Sequence, residues 1–373
     1  MYRIAVRCWL MALGMLWVPT ALAEEWPAAD WTRGEAPASP EALKAFEAFT
    51  FPPQRNTTRE GVRTNAIVVI SDGKLIYERY MGETRAETPH LTWSVSKSLM
   101  ATVLGVAFGE GRFTLEDPVA RHYPPFSAHP EIRLHHLLSW ASGLAWNEGY
   151  EAGPVKSTVV AMLYTRGKRD MAAYTAGLPS VAAPGSRFLY SSGDSNVLSA
   201  SLRSMVGEAY ADYPWTALFE PLNITSAVWE RDGSGTFVGS SYAYMTARDL
   251  ARVGLLMQRQ GRWKDRQLLP PDWVALNLTP FEHYEPDPED PVPNPVPGAH
   301  WWLNRSVKGA PRAWASAPED TFAALGHWGQ CLFVIPSEKL IIVRYADDRD
   351  GSFRYDEFLR LARAAFAGGK AAL

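Results

Sequence analysis

Cysteine is almost missing from this 373-residue chain, which has only 2, Cys8 and Cys331. Cys8 lies in an apolar leader, so the body of the protein keeps one thiol. That excludes an intramolecular disulfide and disfavours a cysteine-based metal site. Blocks of like charge are missing as well. Lys and Arg number 37 against 40 Asp and Glu, a formal net charge of -3, so nothing in the balance attracts nucleic acid or an anionic membrane surface. Long apolar runs are missing beyond the leader. The leader's own run, 8–18, is too short to cross a hydrocarbon core of about 30 Å, and Pro19 interrupts it.

What is there begins with Arg3 and Arg7, ahead of that run, and Ala21-Leu22-Ala23 behind it. This order predicts a secretory signal peptide over 1–23, a periplasmic or secreted product and no stable membrane span once the leader is removed. The remainder is rich enough in apolar residues, 47% of the whole, to bury one large core or two moderate ones, which excludes disorder over most of its length. A small molecule is the expected partner.

Residues 24–63 read as a loose arm with one short helix, because Ser39 is an N-cap with Pro40 at the first helical position and Leu43, Phe46 and Phe49 behind. Runs 66–71 and 74–80 are β-rich and flank Asp72-Gly73, a strong hairpin signal. A second pair, 331–335 and 340–345, flanks Pro336-Ser337-Glu338-Lys339, and a helix bearing Phe358, Leu361, Ala362 and Ala365 follows. Residues 96–108 are apolar almost all round, which a helix tolerates only when protein surrounds it. Thr246 and Asp249 form a capping box ahead of another helix that Gly261 ends. The stretch 282–298, with six prolines and several carboxylates, reads as a surface loop. It is an inert insertion on this reading, with a rim of the substrate cleft as the alternative. Strands at both chain ends and helices between predict an α+β architecture: one antiparallel sheet assembled from both ends with flanking helices, in a domain over 64–373, and an inserted helical lobe at about 112–240.

Three elements carry chemistry. Ser94-Val95-Ser96-Lys97 has the S-x-x-K pattern, as does the pair Ser71 and Lys74, but the latter straddles the hairpin turn. Ser94 stands at the mouth of the buried helix, where three-residue spacing puts hydroxyl and amine on one face and the helix end favours negative charge. Lys97 can take the serine proton only if its pKa falls by about 3 units, through burial or nearby positive charge. The alternative is a surface lysine at a helix start. Tyr190-Ser191-Ser192 offers a phenol to relay protons and a hydroxyl, Ser192, for Lys97 or the substrate, or simply a packed tyrosine. In Gly326-His327-Trp328-Gly329-Gln330, glycines entering an apolar strand suggest close approach of a ligand. There the N-H near Gln330 could join that of Ser94 as an oxyanion hole, while His327 taken alone reads equally as a structural histidine.

In this order the three elements resemble the serine β-lactamase and penicillin-binding-protein superfamily. More closely, the chain resembles the class C β-lactamase-related branch that includes 6-aminohexanoate-dimer hydrolases and esterases. The likeness runs over 65–366 and includes the stretch 132–150, which contains RLHHLLSWASGLAWNEGY, together with 244–250, Trp301-Trp302 and 320–330. The resemblance implies a catalytic triad of Ser94, Lys97 and Tyr190, with the N-H groups of Ser94 and Gln330 as the oxyanion hole. It also places Ser192, His327, Trp328, Gly329 and Tyr150 at the substrate, with Trp146 and Glu148 as further candidates to line the cleft beside Tyr150. Two departures stand out. His327 occupies the place of the lysine that attracts a β-lactam carboxylate, and Ser192 that of the asparagine usual in class C enzymes. The expected activity is hydrolysis of an amide or carboxylic ester through an acyl-enzyme on Ser94, with no cofactor and no metal. A D-alanyl carboxypeptidase or weak β-lactamase is the alternative enzyme, and a non-catalytic binding or scaffold protein the alternative of another class.

Overall fold

The computed structural model describes residues 24–35, 39–150, 153–287, 289 and 293–367, so the leader and its expected cleavage site lie outside the described residues. Two hairpins from opposite chain ends lie side by side and make up one side of the sheet. Thr64–Ser71 (β1) and Lys74–Tyr80 (β2) turn through Asp72 and Gly73 at φ 46 and 80, the left-handed pair that a tight hairpin needs. Gln330–Ile335 (β11) and Leu340–Ala346 (β12) form the other hairpin, and β12 lies antiparallel to β1. Phe322–Gly326 (β10), Trp302–Leu303 (β9) and Val296–Pro297 (β8) extend the sheet to the order β2-β1-β12-β11-β10-β9-β8. The remaining strands are minor: His90–Leu91 (β3), Val228–Trp229 (β4) and Ala243–Met245 (β5) form one small sheet, and Arg262–Trp263 (β6) and Arg266–Gln267 (β7) another.

Alternation along the strands sends side chains to two cores. Val68, Ile70, Ile341, Val343 and Leu332 face one side and join the core of the helices Val95–Gly109 (α2) and Ala247–Gln258 (α9). Ile67, Val69, Ile342 and Phe333 face the other, against Pro40–Thr50 (α1) and Tyr355–Phe366 (α11). Between α2 and β4 the chain is helical, through Val119–His122 (α3), Leu134–Leu138 (α4), Gly153–Lys156 (α5), Thr158–Tyr164 (α6), Met171–Ala176 (α7) and Ser192–Val206 (α8). Pro271–Asn277 (α10) follows β7 and closes over α2, where Trp273 Nε1 donates to the Ala101 carbonyl at 3.1 Å. This is the antiparallel-sheet α+β fold that strands at both chain ends and helices between predict. α2 is buried along nearly its whole length, as a helix apolar on all sides must be.

Three expectations need correcting. Residues 24–35 and 39–50 of the arm are not loose: Trp31 is buried and donates to the Arg248 carbonyl, Arg252 donates to the carbonyls of Ala28 and Ala29, and Phe46 packs on Phe358 and Phe366. The capping box of α9 is half made. Thr246 Oγ1 accepts from the Asp249 N-H, but the Asp249 carboxylate turns away to Thr225 and Ser226. The proline-rich stretch is no inert insertion, since Tyr284, Glu285, Asp287, Asn294 and Pro295 line a cleft and Val296–Pro297 makes the sheet edge, a place where proline is tolerated because no partner needs its N-H.

Cys331 is fully buried in β11, and burial pushes its thiol up to about 12, which leaves it an inert core group. Among the described residues no helix is long and apolar enough to cross a membrane.

Candidate active site

Trp93 ends the run from β3 at φ 49, a left-handed conformation costing roughly 1–2 kcal/mol for a bulky residue. The turn places Ser94 at the N-cap of α2, with a hydroxyl that does not cap the helix. One turn on, the Lys97 amine donates to Ser94 Oγ at 2.9 Å and to the Ser240 carbonyl at 3.1 Å. Lys97 is 1% exposed. Burial lowers its pKa to about 8, with the nearby Glu148 carboxylate opposing the shift. Part of the amine is therefore neutral near neutral pH. By contrast, Ser71 and Lys74 are cross-strand partners at the tip of the first hairpin, away from the cleft.

Tyr190, just ahead of α8, brings its ring to 4.9 Å from the Lys97 amine and lines the same cleft as Ser94. Trp140 and Trp302 hold the ring, at centroid distances of 4.8 and 5.4 Å. Burial, reinforced by the Glu148 charge, drives the phenol well above its ordinary range, with the nearby Ser94 hydroxyl opposing the shift. It stays protonated and acts as a donor.

Ser94 opens on a cleft of about 650 Å³ whose lining includes Tyr150, Phe188, Tyr190, Trp302, Gly326 and His327. Tyr150 stacks on His327 at 4.7 Å, and both line the cleft beside Ser94. Four expected site residues are placed differently. Ser192 is fully buried behind the cleft and donates to Glu148 rather than to Lys97. Trp328 lies beyond Trp93 under the Arg349 guanidinium, and Gly329 offers its carbonyl to Arg344. Gln330 starts β11, one strand away, with its side chain tied to the His327 and Ala346 carbonyls. The backbone against Ser94 is that of Gly326: a Cβ there would lie 2.4 Å from the Thr92 carbonyl oxygen and 3.2 Å from the Ser94 nitrogen. The strand entering the site is β10, and its end turns from Gly326 into His327 beside Ser94.

Glu148 is the site residue with the weakest signal in the sequence, a lone carboxylate in Trp146-Asn147-Glu148-Gly149-Tyr150. It accepts from the Ser192 hydroxyl at 2.5 Å, the Ser192 N-H at 3.0 Å and the Trp146 indole N-H at 2.5 Å. One of its oxygens stands 3.9 Å from the Lys97 amine. Its partner Ser192 is 44 positions away, a pairing that no local spacing announces.

A second carboxyl lies one layer deeper. Asp194 is fully buried and accepts from the hydroxyls of Ser142 at 2.9 Å and Ser191 at 3.2 Å. Burial raises it to about 7, the two serine bonds opposing and the Glu148 charge adding. A carboxyl raised in the folded state contributes stability at acid pH, and that contribution is lost as pH climbs from its unfolded value through the folded one. Asp194→Asn is therefore expected to gain on the wild type between about pH 4 and 7, by on the order of 2 kcal/mol at pH 8. Urea denaturation at a series of pH values measures this, and a gap that does not change with pH refutes it.

The profile of the β-lactamase family matches residues 48–365. The 6-aminohexanoate-dimer hydrolase of Paenarthrobacter ureafaciens is 25% identical over 363 residues, which cover 93% of this chain and 89% of that enzyme. Among solved structures, a penicillin-binding-protein homologue from Caulobacter crescentus superposes with a TM-score of 0.67 at 15% identity, over 90% of this chain and 98% of that one. A D-stereospecific amidohydrolase from Streptomyces sp. gives 0.61 at 17% identity, over 88% and 99%. At such identities the superpositions speak for the fold, and the profile for the family. With a match that spans most of its length, the chain belongs to the β-lactamase family and is a serine hydrolase.

Proposed function

We propose that this protein is an exported hydrolase that cleaves an amide or carboxylic ester through an acyl-enzyme on Ser94. The observation that carries the reading is the Lys97 amine, buried, lowered to about 8 and donating at 2.9 Å to the Ser94 hydroxyl, at the floor of a cleft open to a small molecule. Lys97 takes the Ser94 proton as Oγ bonds to the carbonyl carbon. The Tyr190 phenol passes a proton to the leaving group, whose bond to that carbon then breaks. Water attacks the acyl ester, the carboxylic acid departs, and the Ser94 hydroxyl is restored. The Ser94 N-H and the peptide entering His327 from Gly326 are the groups closest to the developing oxyanion, in place of Gln330. Export is supported by the basic and apolar leader with its small-residue triplet, 1–23.

Hydrolysis of amides fits the named activity of the Paenarthrobacter relative. A D-alanyl carboxypeptidase or β-lactamase would meet a substrate carboxylate, whereas the charged groups lining this cleft are Glu148, Glu285 and Asp287, which repel one. The test is a panel of nitrophenyl acyl esters, linear amides and a fluorescent penicillin, with intact-protein mass after a fluorophosphonate. The expected result is ester turnover with a burst and one fluorophosphonate adduct, both lost in Ser94→Ala, and no stable penicillin adduct. Turnover or labelling that survives Ser94→Ala refutes the assignment.

A further inference from the structure

The chemistry proposed above leaves Glu148 unused, although it is the nearest opposite charge to the base. Three donors hold its two oxygens, the Ser192 hydroxyl and N-H and the Trp146 indole. Such a set fixes the carboxylate in place. The groups that face Lys97 from the surrounding elements are few. Ser94 shares its helix, Tyr190 precedes α8, and the Ser240 carbonyl comes from the approach to β5. His300, from the turn before β9, is fully buried and pushed down to about 3 by burial, with Lys97 itself adding to the shift, so it is uncharged. Asp194 is tied to Ser142 and Ser191. The formal charge facing the amine is thus that of Glu148, at 3.9 Å.

A nucleophile and its base are commonly completed by a third group that orients the base and stabilises the charge it acquires. We propose that Glu148 is this positioning residue: it orients Lys97 and stabilises the ammonium formed when Lys97 takes the proton of Ser94, while tying the Tyr190-Ser191-Ser192 turn to the same point. In that step the Ser94 O-H bond breaks, an N-H bond forms on Lys97 and the oxygen bonds to the substrate carbonyl. Glu148 neither gains nor loses a proton. The inference rests on the proposed roles of Ser94 and Lys97.

Its signature is electrostatic. An anion beside an amine raises the pH at which the amine becomes neutral, so removing the charge strengthens the effect of burial and weakens the base. The experiment follows the rate of Ser94 labelling by a fluorophosphonate, and of nitrophenyl acetate hydrolysis, against pH in the wild type, Glu148→Gln, Glu148→Asp and Ser94→Ala. The wild-type rate is expected to rise through pH 8 or thereabouts, following Lys97. In Glu148→Gln this rise moves to lower pH by about one to three units, the range for loss of a close opposite charge, and the plateau falls by about 10- to 100-fold as the base weakens. Glu148→Asp draws the charge back by one methylene and moves the rise in the same direction by less, which keeps the test available should the glutamine variant not fold. A rise that stays at its wild-type pH in both variants overturns the inference, whatever happens to the plateau, because a purely structural carboxylate would lower the rate without moving it. Labelling that persists in Ser94→Ala instead sinks the underlying assignment of the nucleophile, so the two failures are distinguishable.

Discussion

Lys97→Met is expected to lower kcat/KM by about 10⁴-fold, the upper end of what a positioned base contributes, and at the same time to make the protein more stable at neutral pH. Both outcomes follow from one fact: the amine is 1% exposed, and its pKa falls from 10.5 to about 8. Between those two values the unfolded chain binds a proton that the folded chain does not, so the wild type gains stability as pH rises through that window. Below it the native state carries a buried ammonium at full penalty. Methionine removes the penalty with little change in volume, for a gain on the order of 2 kcal/mol at pH 7 after the lost bond to the Ser240 carbonyl is set against it. The gain should shrink towards pH 10. Urea midpoints measured at pH 6, 8 and 10 for the two proteins decide the matter, and a variant less stable than the wild type at pH 6 contradicts the account. The lysine is held for chemistry at the expense of folding, a trade common at active sites.

The largest expected loss of stability lies behind the site, at Asp348→Ala. Arg344 is 0% exposed, and its guanidinium reaches Asp348 through two bonds, at 2.7 and 3.1 Å. It also donates to the Gly329 carbonyl at 3.1 Å and the Thr64 hydroxyl at 2.9 Å. Removing the aspartate alone leaves an uncompensated buried cation, which costs about 3–5 kcal/mol. Activity should fall with it, because Arg344 pins the turn His327–Gly329 through which the strand end reaches Ser94. The double variant Arg344→Met, Asp348→Leu should recover much of the stability, since an apolar replacement of a buried pair is often close to neutral. Denaturant midpoints for the two single variants and the double variant form the cycle, and additive losses would contradict the pairing.

The parts of the site set by local geometry were legible in the amino-acid order. Ser94 and Lys97 lie three residues apart on a helix with no polar face, so spacing alone puts them together and burial alone lowers the amine. The two outer hairpins announced themselves through Asp72-Gly73 and the β-branched runs on either side. What was hidden is tertiary. The strand Phe322–Gly326 is short and alanine-rich, with little of the β-branched content that marks a strand, and without it the backbone at Ser94 was assigned to Gln330, one strand too far. Ser192 and Glu148 meet across 44 positions, a pairing that the Tyr190-Ser191-Ser192 element does not announce. The arm read as loose because its anchors, Trp31 and the bonds from Arg252, depend on residues over two hundred positions on.

The division of labour along the chain has a consequence for how such an enzyme diversifies. Ser94, Lys97 and Tyr190, the proposed nucleophile, base and proton relay, sit at buried helix ends held by the core, whereas Tyr284, Glu285, Asp287, Asn294 and Pro295 come from one surface segment that touches the mouth of the cleft. Surface connections accept insertion and replacement far more readily than packed elements. Selectivity and reactivity are therefore separable heritable traits here: exchanging a dozen or so residues between α10 and β8 would redraw which molecules enter, and the bond-breaking apparatus would be inherited intact.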